Sequence, residues 1–209
     1  MSERGLPLSK ARLAKNPSEA VRVAAEIGLP GAVKLVASEV THKSELGGVK
    51  LNLSKPAEVE RACREIEDAF YACNPEAAIE GFLVQEMVRG GVETIIGAQN
   101  DPQFGPVVMF GLGGTAVETY RDVTLRLAPV SLEEAGQMIR SIKGYPLLSG
   151  FRGTPLVDRE NLCRAIVLVS ELAAAGRDLI QSIDINPFVC LRDGGKAVDA
   201  VIVTRSLQS

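Results

Sequence analysis

Apolar residues recur along the chain with two different periods, and the switches between them mark out the elements. Asn16-Pro17-Ser18-Glu19 has the make-up of a helix start: Asn16 as N-cap, Pro at the first helical position and Glu three residues after the cap. Ala20, Val21, Ala24 and Ile27 then share one face, and Gly28-Leu29-Pro30 ends the helix. Ala32 to Val36 reads as a short buried strand that carries one charge, and Val49 to Leu53 as a second strand after a polar, Gly-rich loop. Val59, Ala62, Cys63, Ile66 and Phe70 repeat at helical spacing. Beyond Pro75 the period changes to that of strands: Phe82 to Met87, Glu93 to Ala98 and Val107 to Phe110, a run expected to be adjacent and antiparallel because Gly90-Gly91 and Asp101-Pro102 suit turns. Ser131-Leu132-Glu133-Glu134 is a capping box for a helix with Leu132, Ala135, Ile139 and Ile142 inward. Asp158 caps another, with Leu162, Ile166, Val169 and Ala173 on one face. The chain closes in a hairpin, Ile183 to Cys190 and Ala197 to Val203, joined through Arg192 to Lys196. The pattern predicts an α+β chain: a small α/β lobe over residues 1–80 and a larger lobe over 81–209.

Composition narrows what such a chain can do. Its 209 residues are 46% hydrophobic, enough to fill a real core. The apolar runs are short or broken by charge, and no charged-then-apolar leader opens the sequence, so no membrane association and a cytoplasmic location are expected. A formal net charge of -3, no dense Lys/Arg block and 4% aromatics argue against a nucleic-acid partner. Four cysteines without metal-ligand spacing, beside a single histidine, leave little material for structural zinc and read as reduced thiols.

Several polar residues sit where their burial or clustering calls for a partner. A lysine within an apolar strand, Lys34, must either snorkel or aim its ammonium at an anion. The strand Leu83 to Val88 turns polar at Gln85-Glu86, and Glu93 follows two glycines. Phe110-Gly111-Leu112-Gly113-Gly114-Thr115 follows an apolar strand and offers exposed amides, though it matches neither the Walker nor the dinucleotide spacing and is as compatible with a plain turn. Alternation in Tyr120 to Pro129 puts Arg126, whose planar fork suits phosphate oxygens, on one face of a strand. In the last hairpin Asp184, Asn186 and Asp199 are oxygen ligands within mutual reach, suited to a hard cation that shares its shell with substrate phosphates; a solvated acidic face is the alternative. His42 lies in a polar loop ending in Gly47-Gly48, where an imidazole can carry a phosphoryl group; a surface histidine with no role is its alternative.

Taken in order, these segments resemble the ATP-grasp domain of the ADP-forming (NDP-forming) acyl-CoA synthetases, the group containing the archaeal acetyl-CoA synthetase β subunits and relatives of succinyl-CoA synthetase. The resemblance is carried by His42 to Leu53, Val84-Gln85-Glu86-Met87, Gly91 to Gly97, Asp101 to Pro106, Phe110 to Gly114, Lys143 to Leu148 and Asp184-Ile185-Asn186-Pro187. It implies an ATP-grasp fold, two α/β lobes with nucleotide bound between them, and a role for each residue. Lys34 is similar to the lysine on the nucleotide phosphates, Glu86 and Val88 to the hinge that reads adenine, Glu93 to the residue near the ribose, and Gly113 and Gly114 to a phosphate-side loop. Asn186 and Asp199 resemble the Mg²⁺ ligands, Arg126 a phosphate-side arginine, and His42 the histidine that relays phosphate.

The implied chemistry is reversible exchange of acyl-CoA, phosphate and ADP with free acid, CoA and ATP through an acyl phosphate and phosphohistidines, with ATP/ADP and Mg²⁺ as cofactors. Family members carry a helix ahead of the segment matched by Gly5-Leu6-Pro7, so that helix is expected to be missing here or supplied by something else. The resemblance also implies a hetero-oligomer, or a piece of a fused protein. The partner is a CoA-binding α subunit or domain with the second phosphohistidine. Two other readings stay open at this point: a non-catalytic ATP-sensing domain of a fused acetyltransferase, and another ATP-grasp carboxylate ligase. Neither needs His42.

Overall fold

A computed structural model describes residues 5–37, 47–75, 77–114, 122–153 and 156–205. The chain forms two compact units, Ser9–Met87 and Val88–Ser209 together with the first eight residues.

In the first unit, strands β1 (Ala11–Ala14), β2 (Gly31–Val36), β3 (Val49–Leu53) and β4 (Gly81–Glu86) lie in the order β1-β4-β2-β3, all antiparallel. Helices α1 (Pro17–Ile27) and α2 (Pro56–Cys73) pack on the sheet. Asn16 caps α1 as its sequence predicts, its Oδ1 accepting from the Glu19 amide at 2.9 Å. The buried stripe of α1 is Ala20, Val23 and Ala24, so Val21 takes the flank of the face rather than its centre. Val33 and Leu35 of β2 and Phe82 and Val84 of β4 meet Cys63, Ile66 and Phe70 of α2 in one core. Strand β4, expected to begin the run of strands of the larger lobe, instead forms the middle of this sheet between β1 and β2. Its apolar Phe82 and Val84 need the helical core of α1 and α2, and β1, which has no sequence signature of its own, covers its other edge.

The second unit is a larger two-layer α/β assembly. Strands β5 (Val92–Asp101), β6 (Gly105–Leu112), β7 (Val123–Leu127), β8 (Ile180–Cys190), β9 (Gly195–Ala197) and β10 (Ala200–Thr204) give the order β10-β8-β5-β6-β7, with β9 continuing beside β8. Helices α3 (Leu132–Ser141) and α5 (Arg159–Ala175) cover one face, and a short helix α4 (Tyr145–Leu148) follows α3. Ile96, Val108, Phe110, Ile183, Ile185 and Phe188 pack against Met138, Ile139, Leu162 and Ile166. The Ser131 to Glu134 capping box forms, with the Ser131 hydroxyl receiving the Glu134 amide at 3.2 Å and the Glu134 carboxylate receiving the Ser131 amide at 2.7 Å. Leu132, expected inward, is 55% exposed: it is the first helical residue, a turn short of the core that Ala135 and Ile139 enter. The cysteines Cys63, Cys73, Cys163 and Cys190 are free thiols. Among the described residues no helix is long and apolar enough to cross a membrane.

Two neighbouring aromatic residues on α2 test the packing of the first core. Phe70 is fully buried, whereas Tyr71 stacks on its edge at 5.5 Å and is 45% exposed. Phe70→Ala is expected to cost about 3–5 kcal/mol in urea unfolding, and Tyr71→Ala only about 1 kcal/mol.

Candidate functional site

Among the described residues helices cover each sheet on one face only, so alternation of the strands decides which side chains point away from the core. In β8 the pattern is Ile183 and Ile185 inward, Asp184 and Asn186 outward. The pairing then shifts: Ile96 stands opposite Ile185, but Thr94 stands opposite Phe188, so one extra residue of β8 is accommodated around Asn186-Pro187. Proline has no amide to give the ladder, which suits it to such a bulge. The shift lets Phe188 and Cys190 return to the core, and the Thr94 hydroxyl fastens it by donating to the Phe188 carbonyl at 2.8 Å.

Across the hairpin, the Asn186 amide donates to the Asp199 carbonyl at 3.2 Å and the Val198 amide to the Pro187 carbonyl at 3.0 Å. Asn186 and Asp199 are therefore cross-strand neighbours, with Asp184 two pairs further along, opposite Val201. Burial pushes the Asp184 carboxyl above the ordinary carboxylate range, and the charge of Asp199 adds to the shift. This oxygen-only donor set fits a hard divalent cation, which would relieve the repulsion between the two carboxylates. Among the described residues no group of three or more His, Cys, Asp or Glu could hold a metal by itself. A cation held by two side-chain oxygens would keep positions for water or phosphate oxygens.

The same helix-free face carries Glu93. Thr94 and Ile96 are buried in the core, so Glu93, Ile95 and Gly97 alternate to the other side. The Glu93 carbonyl accepts from the Gly113 amide at 2.8 Å. A Cβ at Gly113 would come within 2.9 Å of the Glu93 main chain, and Gly114 has φ +66°, so both positions need glycine. Beyond lies an open cavity of about 720 Å³ floored by Gly97, Met109, Leu125 and Asp184.

Arg126 is not brought together with the acidic pair in this way. It stands opposite Val108, which is buried against the helices, so its Cβ belongs to the helical face, and it borders the cavity only from the edge strand. Its Nη1 donates to the Leu125 carbonyl at 2.8 Å. The Glu134 carboxyl is held below the usual range by hydrogen bonds from the Ser131 amide and hydroxyl, and the charge of Arg126 adds to this.

In the first unit, Lys34 lies on the middle of β2, opposite Leu83 of β4 and Val49 of β3. Its neighbours Val33 and Leu35 face the core, so Lys34 points to the helix-free face and is half-buried there. Gln85, also on that face, is buried and donates from Nε2 to the Ser9 hydroxyl at 2.5 Å. The Glu86 carboxylate accepts the Lys10 amide at 2.7 Å while its own amide donates to the Lys10 carbonyl at 2.9 Å, bracing β1 on β4. Val88 opens the second unit, outside both sheets. His42 lies outside the described residues, as does the rest of 38–46.

Asp122 has no local signature in the sequence. Its carboxylate accepts the Lys143 and Gly144 amides at 2.8 and 2.6 Å, pinning the turn before α4. The partners are some twenty residues away, and no local spacing marks the pair.

Comparison with known proteins adds three findings. A family model described as ATP-grasp domain matches residues 1–204. The β subunit of acetate–CoA ligase [ADP-forming] I of Pyrococcus furiosus is 43% identical over 95% of this chain and 85% of its own length. Two structures of acetyl-coenzyme A synthetase 1 of Ca. Korarchaeum cryptofilum superpose on 98% of the chain. One, in complex with coenzyme A, Ca-AMPCP and HgCl+, has a TM-score of 0.92 at 46% identity and is covered over 89% of its chain. The other, with coenzyme A and Mg-AMPPCP and its phosphohistidine segment pointing towards the nucleotide binding site, has 0.84 at 43% and is covered over 88%. Other curated relatives are longer, and this chain spans 27–29% of them.

The raised Asp184 carboxyl has a consequence for stability. Between its unfolded and folded pKa the native state binds more protons, so stability falls as pH rises through that window. Asp184→Asn is expected to raise the melting temperature of the metal-free protein at about pH 7, with the gain shrinking towards about pH 4, where the wild-type group is protonated in both states. Thermal melts of both proteins across that range are the check. Equal melting curves at neutral pH would contradict the assignment of a strained acidic pair.

Proposed function

Because the chain belongs to the ATP-grasp family, and within it to the β subunits of ADP-forming acetate–CoA ligases, we propose that it is the ATP-binding, phosphoryl-transferring part of an ADP-forming acyl-CoA synthetase. The observation that carries this reading is the bulged hairpin, which sets Asn186 and Asp199 side by side on the helix-free face of the large sheet.

In this reading Lys34 binds nucleotide phosphate, the main chain at Glu86 and Val88 meets the base, and Glu93 meets the ribose. The loop at Gly113 and Gly114, held close against Glu93, faces the phosphates. Asn186 and Asp199 hold Mg²⁺. When bound, that ion offsets the negative charge that gathers on the phosphoryl group and its leaving oxygen. Arg126 is the weakest member of the set, since its register favours the helical face.

His42 accepts the phosphoryl group on an imidazole nitrogen as the bond to the ADP oxygen breaks, and in the reverse direction returns it to ADP. Reaction with acyl-CoA is completed on a CoA-binding subunit or domain with its own phosphohistidine. There, phosphate displaces CoA to give an acyl phosphate, whose phosphoryl group passes to histidine and frees the acid. The partner supplies the CoA and acid sites, so the working form is a cytoplasmic hetero-oligomer or a longer fused chain.

Incubation with γ-³²P-labelled ATP and Mg²⁺, alone and with a CoA-binding partner, tests the relay. Acid-labile label is expected on wild-type chain, to fall at least about 100-fold in His42→Ala, and to be chased off by ADP. Nucleotide binding with no label, even with the partner present, would reduce the chain to an ATP-binding module.

A further inference from the structure

The helical face of the second unit, opposite the acidic pair, carries a cavity of about 360 Å³ between α3, α4 and α5. Its apolar wall is Leu132 and Ile139, and its polar groups are Arg140, Tyr145, Arg159, Glu160 and Cys163. Glu160 is engaged by Arg164 in an ion pair along α5. Arg140 and Arg159 have no carboxylate partner among the described residues.

The two arginines reach the cavity from different helices. Arg140 comes from the last turn of α3, and its guanidinium lies back along the helix beside Gly136, at the cavity wall. Arg159 is the first residue of α5, and its Nη1 donates to the Tyr145 hydroxyl at 2.7 Å. Their charges converge on the Cys163 thiol, one turn beyond Arg159: burial raises its pKa, and both guanidiniums act against that rise.

Helix stability accounts for one of these positions only. A cation in the last turn of α3 suits the helix dipole, but one in the first turn of α5 sits at its positive end, where an anion is favoured. Two guanidiniums facing one half-buried, apolar-walled cavity repel each other, and their forked donors match a carboxylate or phosphate. We propose that this cavity binds a small organic anion, its carboxylate or phosphate held by Arg140 and Arg159 and its apolar part against Leu132 and Ile139. Asn186 and Asp199 are on the other face of the sheet, so this ligand does not displace one bound there. The assignment stands whether or not the phosphoryl relay does.

Cys163 is a built-in reporter of the site, and the exposed Cys73 is its internal reference. The full chain is alkylated with iodoacetate, an anion, or iodoacetamide, its neutral analogue, and each cysteine is read by mass spectrometry. The iodoacetate-to-iodoacetamide rate ratio is expected to be about 10-fold higher at Cys163 than at Cys73, as a nearby pair of positive charges implies. Arg140→Gln and Arg159→Gln should each lower it to about 3-fold, and the double variant to the Cys73 value. Inorganic phosphate or acetate should slow the iodoacetate reaction at Cys163 selectively, and whichever protects better identifies the preferred anion. A ratio at Cys163 no higher than at Cys73, or no protection by either anion, overturns the proposal. The protection arm uses wild-type protein, so it decides the matter even if a variant fails to fold.

Discussion

Everything assigned to the nucleotide face depends on one constraint: in a sheet with helices on one side, every second residue of a strand has to find its place away from the core. In β8 the alternation would by itself carry Pro187 and Val189 inward after Ile183 and Ile185. The single-residue shift at Asn186-Pro187 sends Phe188 and Cys190 inward instead. Asn186 is left exposed at the bulge, beside Asp199 of the returning strand. A hydrophobic requirement, that Phe188 be buried, thereby places the polar residues. The accompanying cost is carried by Asp184, whose carboxyl is pushed up by burial and by its acidic neighbour.

The first unit uses the same rule with a different charge. Val33 and Leu35 turn to α1 and α2, and the residue between them, Lys34, turns the other way. Glycines serve where backbone approaches backbone, as Gly113 does against Glu93. Each unit thus keeps a helical side that supplies stability and a strand side that carries the polar residues of the proposed site. The cavity at Arg140 and Arg159 departs from this division, because its chemistry-bearing groups are on the helical side.

Local signals in the sequence proved readable where structure is local. The Asn16 cap, the Ser131 to Glu134 box, the Asp158 cap and the stripe Val59, Cys63, Ile66 and Phe70 form as their spacing predicts. The closing hairpin keeps one register from Ile185 to Phe188 on β8, so Asn186 faces Asp199. Features set by distant partners were not readable. Strand β4 looks like its successors but joins β1 and β2, because its core partners are on α2. Glu86 spends its carboxylate on the Lys10 amide, 76 residues away in sequence. The face taken by Arg126 follows from pairing with Val108, which alternation within β7 alone does not fix.

The central claim is that Asn186 and Asp199 hold the Mg²⁺ that accompanies a nucleotide whose phosphates Lys34 binds. Calorimetric titration of ADP with and without Mg²⁺ tests it on wild type, Asp199→Ala and Lys34→Ala. Mg²⁺ is expected to tighten ADP binding at least about 10-fold in wild type, and that gain should vanish in Asp199→Ala. Lys34→Ala should weaken ADP with and without the ion. An unchanged Mg²⁺ gain in Asp199→Ala would contradict the account.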